Sequence, residues 1–207
     1  MINLCAGHDR VIAFVDGQNL FHAVREAFGY TYPNYDVKKL AQAVCKKEGW
    51  RLVQTRFYTG VPNSADNKPW HHFWANKLAI MHQVKNAFVY TRPLRYTEKD
   101  IILTDGSVVK ARIGEEKGID VRIAIDIIRL AHQQVFDIAL VFSQDQDLSE
   151  VAEEIRVISR EQNRWIKIAS SFPEAPQQRG INKTDWVPFD KLLYDVCLDL
   201  RDYRAQI

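Results

Sequence analysis

The chain has 207 residues, 46% of them hydrophobic and 26% charged, enough to bury one sizeable core and pointing to a single domain over 1–207. It contains no run of about 18 apolar residues and no basic leader ahead of an apolar segment, so neither a membrane span nor a secretory signal is expected. A formal net charge of +2 excludes no partner, because a nucleic-acid enzyme needs a local basic surface and its own metal carboxylates lower the total.

The first stretch, RVIAFVDG (Arg10 to Gly17), is an apolar run halted at Asp-Gly, a strand and turn. QNLFHAVREAFG then sets Leu20, Phe21, Val24 and Phe28 at near-helical spacing, with Gly29 as a stop. A second helix follows, capped by Asp36, carrying Val37, Leu40, Ala41 and Val44 on one face and ending at Gly49. WRLVQTRFYTG is a second strand, PNSADNKP a loop, and Trp70 to Val84 a helix packing through Phe73, Trp74, Leu78 and Met81. AFVYTRPL is a third strand.

Two short apolar segments joined by Thr104-Asp105-Gly106 then predict a β-hairpin insertion near residues 98–113. A helix starting close to Asp120 carries Val121, Ile125, Ile128 and Leu130. VFDIALVFSQD is nearly all apolar, as a strand covered on both faces should be. A helix from Leu148 to Asn163, the strand WIKIAS, a flexible loop over 170–180 and a C-terminal strand and helix at about 185–204 complete the chain. This alternation predicts an α/β fold with a mostly parallel central sheet flanked by helices, whose working groups gather beyond the carboxyl ends of the strands.

Four aspartates follow strands or open a helix there. Asp16 follows the first strand, Asp145 and Asp147 follow a central one, and Asp120 opens the helix before it. An aspartate after a strand also serves as a helix cap or turn former. If the four converge, their repulsion favours a hard, oxygen-seeking cation such as Mg²⁺ or Mn²⁺. Asn19 either caps its own helix or orients Asp16, Asp126 stands six positions beyond Asp120, and Glu115 and Glu116 read as a solvated approach. Cys5, Cys45 and Cys197 show no paired metal-ligand spacing, nor do His71 and His72, so zinc has no ligand set and a reduced cytoplasmic setting is expected.

FVDGQNL, EEKGIDVRIAIDIIRLA and DIALVFSQDQDL, in that order, resemble the NYN domain family of PIN-like nucleases across about residues 10–170. YTG at Tyr58 to Gly60 and TRPLRY at Thr91 to Tyr96 resemble its bacterial branch. The resemblance implies a PIN-like, Rossmannoid domain, a divalent-metal site and RNA cleavage, with Asp16, Asp120, Asp145 and Asp147 as metal ligands and catalytic acids and Asn19 as the motif asparagine. The family's usual Ser-Gly-Asp-Ser-Asp-Phe is here Ser143-Gln144-Asp145-Gln146-Asp147-Leu148, and a glycine replaced at 144 removes backbone freedom.

The expected activity is metal-dependent endoribonuclease cleavage of single-stranded or loop RNA. Two other readings stand beside it: a catalytically weak RNA-binding or protein-interaction module, and a DNA nuclease or other phosphoesterase. Lys110, Arg112, Lys117, Arg122, Arg92 and Arg95 are the candidate backbone contacts, while Arg156, Arg160 and Arg164 recur as a helical stripe more consistent with a solvated face. Tyr96, Trp70 and His71 are candidates to stack on or contact bases. A homodimer is compatible with the sequence, which shows no coiled-coil repeat.

Overall fold

The computed structural model describes residues 9–104 and 106–204, so Cys5 and Asp105 lie outside the described residues. A six-stranded parallel sheet has the order β3-β2-β1-β6-β7-β8. Its strands are β1 (Arg10–Asp16), β2 (Arg51–Val61), β3 (Ala87–Pro93), β6 (Ile138–Phe142), β7 (Lys167–Pro173) and β8 (Asp185–Phe189). The chain builds outward from β1 on one side and from β6 on the other, so the order reverses between these two neighbours. In a parallel α/β sheet the crevice for ligands opens at that reversal, beyond the carboxyl ends of the strands.

Period-two geometry explains why β1 and β6 are apolar throughout. Val11, Ala13 and Val15 pack on one face of the sheet with Leu140 and Phe142, while Ile12 and Phe14 pack on the other with Ala139 and Val141. The first face is covered by α1 (Gly17–Phe28), α2 (Val37–Lys47), α3 (Lys68–His82) and the short α6 (Lys191–Asp195). The second is covered by α4 (Ile119–His132) and α5 (Ser149–Glu161). Helix boundaries follow the expected chemistry. Gly29, with φ 79°, ends α1 in a left-handed conformation that a side chain would strain, and the Asp36 carboxylate caps α2 by accepting from the Lys39 amide.

The hairpin is present as β4 (Arg95–Ile102) and β5 (Val108–Glu115), three residues longer at its base than the apolar run indicates. The extra length comes from pairing of Arg95, Tyr96 and Thr97 with Glu115, Gly114 and Ile113. On α4 the buried face is Ile119, Ile123, Ile127 and Leu130; Val121 and Ile125 are exposed.

The C-terminal helix is much shorter than its periodicity suggests. After Asp195 the backbone turns to partners far away in sequence: the Asp36 amide donates to the Cys197 carbonyl, and the Asp199 amide to that of Asn34, each at 2.8 Å. These bonds replace the helical ladder. The segment expected as a loop over 170–180 is strand β7 as far as Pro173. Cys45 and Cys197 are buried free thiols. No helix among the described residues is long and apolar enough to cross a membrane.

Candidate active site

β1 ends in Asp16, which also caps α1 by accepting from the Asn19 amide at 3.0 Å. The capping reading therefore holds for this residue. Beside it, β6 ends at Phe142 and the chain turns through buried Ser143, whose hydroxyl accepts from the Asp145 amide at 3.2 Å. Asp145 in turn caps the single 3-10 turn Gln146–Leu148, accepting from the Asp147 amide at 3.0 Å. The Asn19 side-chain oxygen accepts from the Gln144 amide at 2.9 Å. One asparagine thus ties the Asp16 turn to the Asp145 turn.

Asp16, Asp120 and Asp145 line one cleft, together with Glu116, Lys117, Gly118 and Ile119. Asp147 is exposed and is not among the lining residues. Burial, followed by the nearby charges of Asp145 and Asp120, pushes the Asp16 carboxyl up to about 6, against the lowering effect of its bond from Asn19. Glu116 is pushed further, to about 8, by burial and then by Asp16, with Asp120 adding to the shift. The cleft is therefore a concentration of partly dehydrated negative charge.

Glu116 is the residue that the sequence conceals. Its position in GEEKGID reads as solvated, and its neighbour Glu115 behaves so, pairing with Lys99 and, at 3.2 Å, with Lys117. Glu116 instead turns inward at the end of β5 and accepts the Gly60 amide at the end of β2. Gly60 has no room for more than hydrogen: a Cβ there would meet Leu94 Cδ2 and stand 2.8 Å from Glu116 Oε2. The only signal was that a hairpin must return its final residues toward the sheet it left.

The donors are of the right kind for Mg²⁺ or Mn²⁺, since they are hard carboxylates, and burial, with mutual repulsion behind it, raises the proton affinity of Asp16 and Glu116. Among the described residues, no group of three or more His, Cys, Asp or Glu side chains closes up into a ready cation site. The carboxylates share a cleft without converging on one point.

Gln144 and Gln146, the departures from the family pattern, have a structural task. Gln144 Nε2 donates to the Arg179 carbonyl at 2.7 Å. Gln146 Nε2 donates to the carbonyls of Gln144 and Gly180 at 2.9 and 3.2 Å, and its oxygen accepts from the Asn182 amide at 3.0 Å. The two amides stitch the acidic turn to the connection between β7 and β8. Gln144 is not among the residues of positive φ, so the glycine's conformational freedom is not needed here.

Asp126 is drawn away from the cleft. It is buried and receives Arg56 at 3.2 Å, Arg122 and Arg129 at 3.0 Å, and the Tyr58 hydroxyl at 2.9 Å. Arg122, a candidate backbone contact, is half-buried, with its guanidinium paired to Asp126 and lying 4.9 Å from the Tyr90 ring centroid. Arg112 pairs with Asp66 at 3.1 Å. Lys117 lines the cleft while its ammonium faces Glu115, and Arg92 donates to the Lys117 carbonyl at 3.1 Å. Lys110 and Arg95 are exposed on the hairpin. The arginine stripe is not one stripe: Arg156 pairs with Glu153 at 3.3 Å, whereas Arg164 lies past the end of α5 and pairs with Asp137 at 3.0 Å. His71 bonds through Nδ1 to the Pro62 carbonyl at 2.9 Å.

Comparison with known proteins agrees with this architecture. A protein of unknown function from Vibrio parahaemolyticus superposes with a TM-score of 0.55 at 23% identity, over 90% of this chain and 96% of that one, which shows a shared fold. Ribokinase from Giardia lamblia is more distant, with a TM-score of 0.42 and 12% identity over 88% of this chain and 58% of that one. No curated protein matches the chain. The family model of the NYN domain matches residues 10–178, most of the chain, and the protein belongs to the NYN domain family.

Proposed function

We propose that the protein is an Mg²⁺- or Mn²⁺-dependent endoribonuclease of the bacterial NYN branch, acting in the cytoplasm on single-stranded or loop RNA. The observation that carries this reading is the cleft at the reversal point of the sheet, lined by Asp16, Glu116, Asp120 and Asp145, where burial and then the neighbouring charges raise the proton affinity of Asp16 and Glu116. Asp16, Asp120 and Asp145 would hold the cation, with Asp147 at the rim and Glu116 beside them. Bound there, a divalent ion supplies Lewis acidity toward a phosphodiester oxygen and an attacking water. Asn19 fixes the relative placement of the Asp16 and Asp145 turns, and Gly60 holds Glu116 at the cleft. Lys117, Arg92, Arg95 and Lys110 lie on the hairpin side and are the cations available to a phosphate backbone.

A specific observation favours a second reading, an RNA-binding module without catalysis: the acids do not close on a common point. Cleavage of mixed-sequence single-stranded RNA, structured RNA and single-stranded DNA, in Mg²⁺, Mn²⁺ or EDTA, separates the readings. Metal-dependent cutting of single-stranded RNA, lost in Asp16→Asn and Asp145→Asn, is the expected result. Binding with no metal-dependent cutting would select the module, and equal cutting of DNA would widen the substrate class.

A further inference from the structure

A second concave surface adjoins the acidic cleft, between the start of α1, the end of β2, the start of α3 and the base of the hairpin. Gln18, Gly60, Asn67, Trp70, Tyr96 and Arg112 are among the residues that line it. Two links join it to the cleft. Gln18 stands two positions after Asp16, and Gly60 lines the groove while its amide is held by Glu116 of the cleft.

The groove presents flat groups that already have protein partners. Trp70 is half-buried and packs edge-on against Phe73 with ring centroids 5.2 Å apart. Arg112 is fixed by Asp66 at 3.1 Å and lies 5.3 Å from the centroid of the Tyr96 ring, which supports it from below. An indole and a supported guanidinium plane are the surfaces on which unpaired bases stack. The groove also presents amides with spare capacity. The Gln18 side chain has no hydrogen-bond partner among the described residues, and Asn67 uses only its oxygen, accepting from the Trp70 amide at 3.2 Å. Amides carry both donor and acceptor, as the edge of a base does.

We infer that this groove is a nucleobase subsite, stacking and hydrogen-bonding one unpaired base next to the phosphodiester in the cleft. The inference rests on the reading of that cleft as the place of phosphodiester hydrolysis, and it accounts for a preference for single strands: a base paired in a duplex has neither its face nor its edge free.

The test is a fluorescence-anisotropy titration in EDTA with labelled hexauridylate, hexaadenylate and a sugar-phosphate hexamer lacking bases. Without metal the cleft repels all three alike, so the difference between them reports the bases. Wild-type protein is expected to bind at least one base-bearing strand about ten-fold or more tightly than the abasic one, the scale of a single stacked base. Trp70→Leu and Gln18→Ala should each shrink that ratio several-fold with abasic affinity unchanged. If Trp70→Leu fails to fold, Gln18→Ala still decides, since its side chain makes no hydrogen bond among the described residues. Equal affinity of wild type for all three strands, or an undiminished ratio in the folded variants, overturns the subsite. Cleavage is scored separately: cutting without base discrimination refutes the subsite alone, and discrimination without cutting refutes the hydrolytic reading alone.

Discussion

Asn19 and Gln144 are 125 positions apart in sequence, yet the side-chain oxygen of one accepts the backbone amide of the other at 2.9 Å. The bond runs between the first turn of α1 and the turn leaving β6, the two segments that carry Asp16 and Asp145. Their spacing is set by an amide that touches neither carboxylate with its side chain. Asn19→Ala removes the acceptor and leaves the backbone bond to Asp16 in place. We expect about 0.5–2 kcal/mol of lost stability, measured by urea denaturation, and a larger proportional loss of cleavage rate. Asn19→Asp keeps an acceptor and should recover most of the stability while leaving activity low, because it adds another negative charge beside Asp16.

Gln146 makes three hydrogen bonds that hold its turn against the connection after β7. Gln146→Ala is expected to cost about 1–3 kcal/mol and to accelerate hydrogen exchange at the Asn182 amide. Gln144→Gly, which restores the family's usual residue, loses one bond to Arg179 and should cost less, with activity retained. A gain of activity on introducing this glycine would show that the side chain restrains the site.

Asp126 is the shared counter-charge of Arg56, Arg122 and Arg129, offsetting one of their three positive charges from a buried position. Asp126→Asn leaves those cations without their shared counter-charge, and about 3–5 kcal/mol of destabilisation is expected in thermal or denaturant melts. Divalent-cation affinity of the folded variant, read by calorimetry, should stay within about two-fold of wild type. A loss of an order of magnitude would place Asp126 in the metal environment.

Lys77 supplies the pH dependence. It is buried, donates to the Tyr35 carbonyl at 2.8 Å, and lies 3.8 Å from Asp199. Burial lowers its pKa to about 8, more than the nearby Asp199 raises it. The unfolded chain, with an ordinary lysine near 10.4, then holds the proton more tightly than the folded one. Between about pH 8 and 10.4 the unfolded state carries more protons, so this residue's contribution to stability rises with pH across that window. Lys77→Met should remove the rise, measured as the difference in unfolding free energy between pH 7.5 and 10.

Much of the fold could be read directly because β1 and β6 are apolar on both faces and the caps are local. Asp36 reaches three residues and Gly29 acts on its own φ. Asp16, Asp120 and Asp145 could be found because strand ends and helix starts carry them to one edge. What escaped the sequence depends on contacts between distant segments. Glu116 is inward only because β5 returns to Gly60, 56 positions earlier. Arg112 and Arg122 read as free cations until Asp66 and Asp126 are seen beside them. The apolar spacing of Leu192, Val196 and Leu200 suggests a helix, yet all three are exposed, and tertiary backbone bonds to 34 and 36 govern that segment.

The three arginines gathered on Asp126 have a consequence for how a polyanion arrives. Arg122 and Arg129 on α4 are matched by Asp120 and Asp126 on the same helix, so the formal charges cancel and α4 contributes little attractive field at long range. The exposed cations are Lys110 and Arg95 on the hairpin and Arg92 on β3, which donates to the carbonyl of Lys117 in the cleft lining. For a polyanion bound as proposed, encounter would be lopsided, with capture expected from the hairpin flank, and raising ionic strength should slow capture more than any step after docking.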